Sequence, residues 1–63
     1  MQTVTKVVLD ANGGDYAPQA PVQAAVDAVR TRNDLKIFLV GQEEIVREEL
    51  QTHTSYPKDQ LEI

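Results

Sequence analysis

The chain has 63 residues, 41% apolar and 25% charged, and its ten Asp plus Glu outweigh six Lys plus Arg for a net charge of −4. These fractions belong to folded globular chains rather than disordered ones, and the acidic surplus gives no electrostatic footprint for nucleic acid and disfavours anionic lipid. The lack of cysteine excludes disulfides and thiolate metal sites, no apolar run approaches the ~20 residues of a membrane helix, and the start lacks the basic-then-apolar pattern of a signal peptide.

Val4 to Asp10 (VTKVVLD) is rich in β-branched residues and predicts a first strand, with Val4 and Val8 on one face and Val7 and Leu9 on the other. Ala11 to Gln19 reads as a loop, marked by Gly13-Gly14 and Pro18. A helix is expected to start between Pro18 and Pro21, since proline is accepted in a first turn whose N–H groups have no intrahelical partner. Val22, Ala25, Val26 and Val29 recur at i, i+3, i+4 and i+7, one apolar stripe, and Arg30 and Arg32 suit the negative end of its dipole. Leu35 to Val40 (LKIFLV) predicts a second strand, with Leu35, Ile37 and Leu39 on one face and Phe38 and Val40 on the other. Apolar residues on both faces are the mark of a parallel strand covered on both sides. A second helix is expected from about Glu43 to Thr52, with Ile45, Val46 and Leu50 inward and a Glu43–Arg47 pair on the solvated face. A polar loop from His53 to Asp59 leads to another apolar run, Leu61 to Ile63.

This is a βαβαβ pattern, the start of a Rossmann-like, three-layer α/β parallel sheet. Right-handed crossovers place both helices on one face of the sheet, so a second helical layer is missing. A ~60-residue domain also buries only about 60% of its unfolded surface. Residues 1–63 are therefore expected to be the amino-terminal part of a single larger α/β domain.

The loop from Asp10 to Pro18 is the distinctive segment. It follows the carboxyl end of the first strand, where open α/β sheets bind ligands. Paired glycines permit close approach of a ligand to the backbone, and the helix start behind them favours anions. Asn12, Gly13 and Gly14 are accordingly the candidate phosphate-binding residues; the competing reading is a tight turn with no ligand. Neither G-x-G-x-x-G nor G-x-x-x-x-G-K-[ST] is present, which argues against a nicotinamide cofactor or a P-loop nucleotide; no cofactor and no metal is expected. Asp10 and Asp15 are the candidate catalytic carboxylates, for acid–base work or a cation. The plainer reading is that they hold the loop by accepting backbone N–H groups. His53 has no partner at a recognisable spacing, and Ser55 and Tyr56 read as loop residues.

Asp10-Ala11-Asn12-Gly13-Gly14-Asp15, followed by Tyr16-Ala17-Pro18, resembles the D-A-M-G-G-D-x-x-P signature near the amino terminus of bacterial phosphate acyltransferases, the acyl-carrier-protein:phosphate transacylases of phospholipid synthesis. Leu39-Val40-Gly41 is similar to that family's L-V-G, and Leu61-Glu62-Ile63 to its third strand. Asn12 stands where the signature has methionine, Gln42 where Asp or Asn is common, and Pro21 is unusual. The resemblance implies transfer of a fatty acyl group from acyl carrier protein to inorganic phosphate, giving acyl phosphate. It also implies a fold related to phosphotransacetylases and isocitrate-dehydrogenase-like proteins, a cytoplasmic homodimer, and peripheral association with the membrane. The alternatives from the residues alone are a non-catalytic α/β module or inert fragment with a structural Gly-Gly turn, or a phosphotransferase using the same loop.

Overall fold

The computed structural model describes residues 3–12, 15 and 17–63. Its elements run β1 (Thr5–Asp10), α1 (Gln19–Thr31), β2 (Leu35–Val40), α2 (Glu43–Leu50), a 3₁₀ turn (Lys58–Gln60) and β3 (Leu61–Glu62). The strands form one sheet in the order β1-β2-β3, and both pairs are parallel. The expected βαβαβ order is therefore present. β1 and β2 pair in full register from Thr5↔Leu35 to Asp10↔Val40, so the loops that follow them leave the sheet side by side.

The core lies between the sheet and the two helices. Leu35, Ile37 and Leu39 point from β2 into it, as the period of two requires. Val22, Ala25, Val26 and Val29 meet them from α1, and Val46 and Leu50 from α2. All four α1 positions are the i, i+3, i+4, i+7 stripe read from the sequence. Glu43 and Glu44 open α2, where carboxylates complement the partial positive charge of a helix start. Arg47 pairs with Glu43 one turn on.

The opposite face of the sheet is open. Val8 is 70% exposed, Val40 53% and Val4 51%, and Phe38 is only half-buried. The Lys36 ammonium sits 5.5 Å from the centre of the Phe38 ring and 3.7 Å from Glu62 Oε2 on the neighbouring strand. These side chains share one face by strand alternation, and no helix of the described residues covers them.

Four sequence expectations need correction. Ile45 is 42% exposed rather than inward; it lies about 100° around the helix from Val46, outside the narrow stripe that an eight-residue helix buries. α2 stops at Leu50, not near Thr52, because the next N–H groups make tighter bonds: Thr52 donates to the Glu49 carbonyl and His53 to the Leu50 carbonyl. The region from His53 to Asp59 is not wholly irregular, since a 3₁₀ turn begins at Lys58. Tyr56 is not a plain loop residue but packs, half-buried, against the core. Gln60 adds a tie that sequence patterning does not show. Its side-chain NH₂ donates to the carbonyls of Leu35 at 2.6 Å and Arg32 at 2.8 Å, joining the entry to β3 to the start of β2.

The candidate anion-binding loop

The loop begins where the β1–β2 ladder ends. The Ala11 N–H donates to the Val40 carbonyl at 2.8 Å, extending the ladder one residue beyond β1, and Ala11 is fully buried. The Asn12 N–H donates to Asp10 Oδ1 at 2.9 Å. This is an Asx-type turn, in which a short carboxylate replaces a backbone acceptor two residues on. Asp10 thus holds loop backbone in the way the plainer reading supposes. The Asn12 side chain lies across Gly41: a Cβ placed on Gly41 would come within 3.0 Å of Asn12 Cγ and Nδ2 and 3.2 Å of Oδ1. Gly41 reads from the sequence only as the end of β2. The structure gives it a second property, a bare backbone against which the neighbouring loop lies. The one signal for this in the sequence is the Leu39-Val40-Gly41 run itself.

Asp10–Ala11–Asn12 is therefore anchored at three points to β2 and to itself. Asp15 is exposed and makes no hydrogen bond to the described residues. The two candidate glycines, Gly13 and Gly14, lie outside the described residues, as does Tyr16.

Beyond the loop, α1 begins at Gln19 with Pro18 as its N-cap. The first helical bond runs from the Val22 N–H to the Pro18 carbonyl at 3.1 Å. No side chain caps this end, and no acidic residue stands in the first turn. Both features leave an anion unopposed there. Pro18 and Pro21 carry no N–H, so Gln19 and Ala20 are the donors of this turn.

A groove of about 580 Å³ lies between α2 and β3, bordered by Arg47, Leu50, His53, Tyr56, Lys58 and Leu61 among others. His53, for which the sequence offers no partner, is half-buried at this groove. Among the described residues no three His, Asp or Glu side chains gather in a way that would hold a metal ion, and no helix is long and apolar enough to cross a membrane.

Residues 5–63 match the model of a family described as "Fatty acid synthesis protein". The chain belongs to this family. Its curated relatives include a phosphate acyltransferase of Clostridium tetani, 40% identical over 58 residues that cover 92% of this chain and 17% of the relative. A phosphate acyltransferase of Herpetosiphon aurantiacus is 54% identical over 48 residues, 76% of this chain and 13% of the relative. One from Halalkalibacterium halodurans is 55% identical over 42 residues, 67% of this chain and 12% of the relative. The chain thus spans between 12% and 17% of the length of these relatives. No solved structure matches it. The family membership agrees with the resemblance carried by the Asp10–Pro18 signature, and the parallel α/β sheet is the fold class expected from it.

Proposed function

We propose that this segment belongs to a phosphate acyltransferase that moves a fatty acyl group from acyl carrier protein to inorganic phosphate. The observation that carries the reading is the family match over residues 5–63, together with relatives that bear the name phosphate acyltransferase. In the reaction a phosphate oxygen attacks the thioester carbonyl carbon. The C–O bond forms as the C–S bond breaks, giving acyl phosphate and the carrier thiol. The catalyst must hold an anion and stabilise a developing oxyanion, both tasks for fixed N–H donors in a water-poor crevice.

In this reading Asn12, Gly13 and Gly14 form the phosphate-binding turn. Asp10 shapes it from one side and Asp15 from the other, with direct catalysis by either carboxylate the lesser role, because neither attracts an anion. The anchoring of Asp10–Asn12 to β2 supports this, since a turn that must present donors to a small ion benefits from a fixed base. Residues 1–63 form the start of one larger α/β domain whose further elements cover the Val8 face. A homodimer in the cytoplasm, touching the membrane at its periphery, completes the reading.

The test uses the full-length enzyme carrying this segment, supplied with acyl carrier protein thioester and phosphate. Thiol release that depends on phosphate, with acyl phosphate trapped as the hydroxamate, is the expected result. Gly14→Val should abolish it with the fold retained, and Asp15→Asn should keep more activity than Asp15→Ala. Hydrolysis or transfer of another phosphate ester, with no phosphate-dependent thiol release, would favour a phosphotransferase instead.

A further inference from the structure

We infer that an α-helix from the rest of the full-length protein docks on the open face of the sheet, over β1 and β2 and antiparallel to them, with its carboxyl end above Lys6 and Lys36. This rests on the reading of the chain as part of a larger enzyme, and it adds what the covering segment is and which way it runs. Side chains alternate along a strand, so in-register neighbours share a face. The register therefore sets three rows on the open side: Lys6 beside Lys36, Val8 beside Phe38, and Asp10 beside Val40. Glu62 extends the middle row on β3. Both ammonium groups stand toward the amino ends of the strands and the Asp10 carboxylate at the carboxyl end. Between them runs an apolar strip, in which Val8 is 70% and Val40 53% exposed.

The edges of the strip define what fits it. On the β3 side it is closed by the Lys36–Glu62 pair at 3.7 Å, so the surface left for a partner lies over β1 and β2. Its length is that of these six-residue strands, roughly 20 Å, which a helix of about 13 residues spans. α1 covers the same strands from the inner side with 13 residues. Charge decides the direction. Covering the strip takes water from Lys6 and Lys36, and an ammonium group deprived of water needs an acceptor. Lys36 has Glu62, but Lys6 has no carboxylate within ion-pair distance among the described residues. The last carbonyls of a helix lack intrahelical donors and carry partial negative charge, so set over Lys6 and Lys36 they supply that acceptor. The same orientation brings the positive helix start to the Asp10 end. The reverse orientation opposes like charges at both ends, and an added β layer has too small a net dipole to meet both.

The test uses the full-length enzyme carrying this segment. Its crystal structure should show a helix on the Val8 face, antiparallel to β1, with its last turn at Lys6 and Lys36. Amide hydrogen exchange, read by mass spectrometry, then tests whether the charges hold it there. Lys6→Met/Lys36→Met keeps the apolar stems and removes both charges. Exchange should accelerate about tenfold in the last turn of that helix, the combined effect of two charges at a helix end, with its first turn unchanged. Val8→Asp, which places a charge in the strip, should accelerate the whole helix. A face covered by a strand, by a helix running the other way or by a second copy of the enzyme would overturn the inference. So would a lysine variant whose exchange changes at the first turn or nowhere outside residues 1–63. A wild type that shows the expected helix and exchange but no phosphate-dependent thiol release would overturn only the proposed reaction.

Discussion

The sheet makes a quantitative prediction because its two faces differ so sharply. Leu39 sits in the middle strand at 1% exposure, against α1 and α2. Val8 projects from the neighbouring strand to the other side at 70% exposure. A 63-residue domain at about 0.05–0.15 kcal/mol per residue has only ~3–9 kcal/mol of stability in total. Leu39→Ala removes buried methyl groups and leaves a cavity, at a cost of about 2–5 kcal/mol, a large share of that total. Full burial of a valine is worth about 1.5–3 kcal/mol. Less than a third of that is realised at Val8, so Val8→Ala should cost roughly 0.5–1 kcal/mol with the loss of β-propensity included. Urea denaturation followed by far-ultraviolet circular dichroism, at several protein concentrations, reads both values. In the full-length protein the Val8→Ala penalty should rise toward that of a core valine if the added chain covers this face. A Val8→Ala penalty in the 63-residue chain matching that of Leu39→Ala, independent of concentration, would refute the account of a one-sided core.

Three further outcomes follow from particular contacts. Gln60→Ala removes two hydrogen bonds, to the Leu35 and Arg32 carbonyls, and should lower the unfolding free energy by about 1–2 kcal/mol, with faster amide exchange at Leu61 and Glu62. The bidentate Arg32 guanidinium, at 3.0 and 3.1 Å, holds the Asp34 carboxyl below the ordinary aspartate range. Its contribution to stability is present above the unfolded value near 3.9 and fades as pH falls through the lower folded value; NMR titration should show Asp34 returning toward 3.9 in Arg32→Gln. Gln19→Glu places an acid in the first turn of α1, where none stands. It should stabilise the helix by about 0.3–1 kcal/mol while raising KM for phosphate in the full-length enzyme, opposite signs that a purely structural loop would not produce.

Legibility in the sequence followed how many residues carry each signal. The α1 stripe rests on four positions at helical spacing and β2 on six alternating ones, and both lie where the pattern puts them. α2 offered fewer constraints. Ile45 and Val46 are adjacent apolar residues, and only packing against α1 and β2 decides that Val46 is fully buried while Ile45 stays exposed. Tyr56 and Gln60 act across the fold, Tyr56 on the core and Gln60 on a carbonyl 25 residues away, and no local period encodes such a reach. At the candidate site the Asp10 turn was legible because an Asx turn is local. The contact of Asn12 with Gly41 was not, because it depends on the β1–β2 register, which the residues of either loop alone do not specify.

The two prolines bear on where the partners of the proposed anion would have to come from. A helix start ordinarily offers four N–H groups without intrahelical acceptors. Here the N-cap and the third helical residue are Pro18 and Pro21, so half of that set is missing. The remaining pair, on Gln19 and Ala20, together with the dipole attracts negative charge but cannot surround a tetrahedral ion with several acceptor oxygens. In the proposed phosphate site, the further donors would have to come from the chain ahead of the helix. That chain is anchored at its base by Asp10, Val40 and Gly41, which places the demand for precise backbone geometry on the turn rather than on the helix. The charges on this side of the sheet are consistent with that division in part: α1 bears no acid in its first turn, and the Asp10 carboxylate is engaged by the Asn12 N–H.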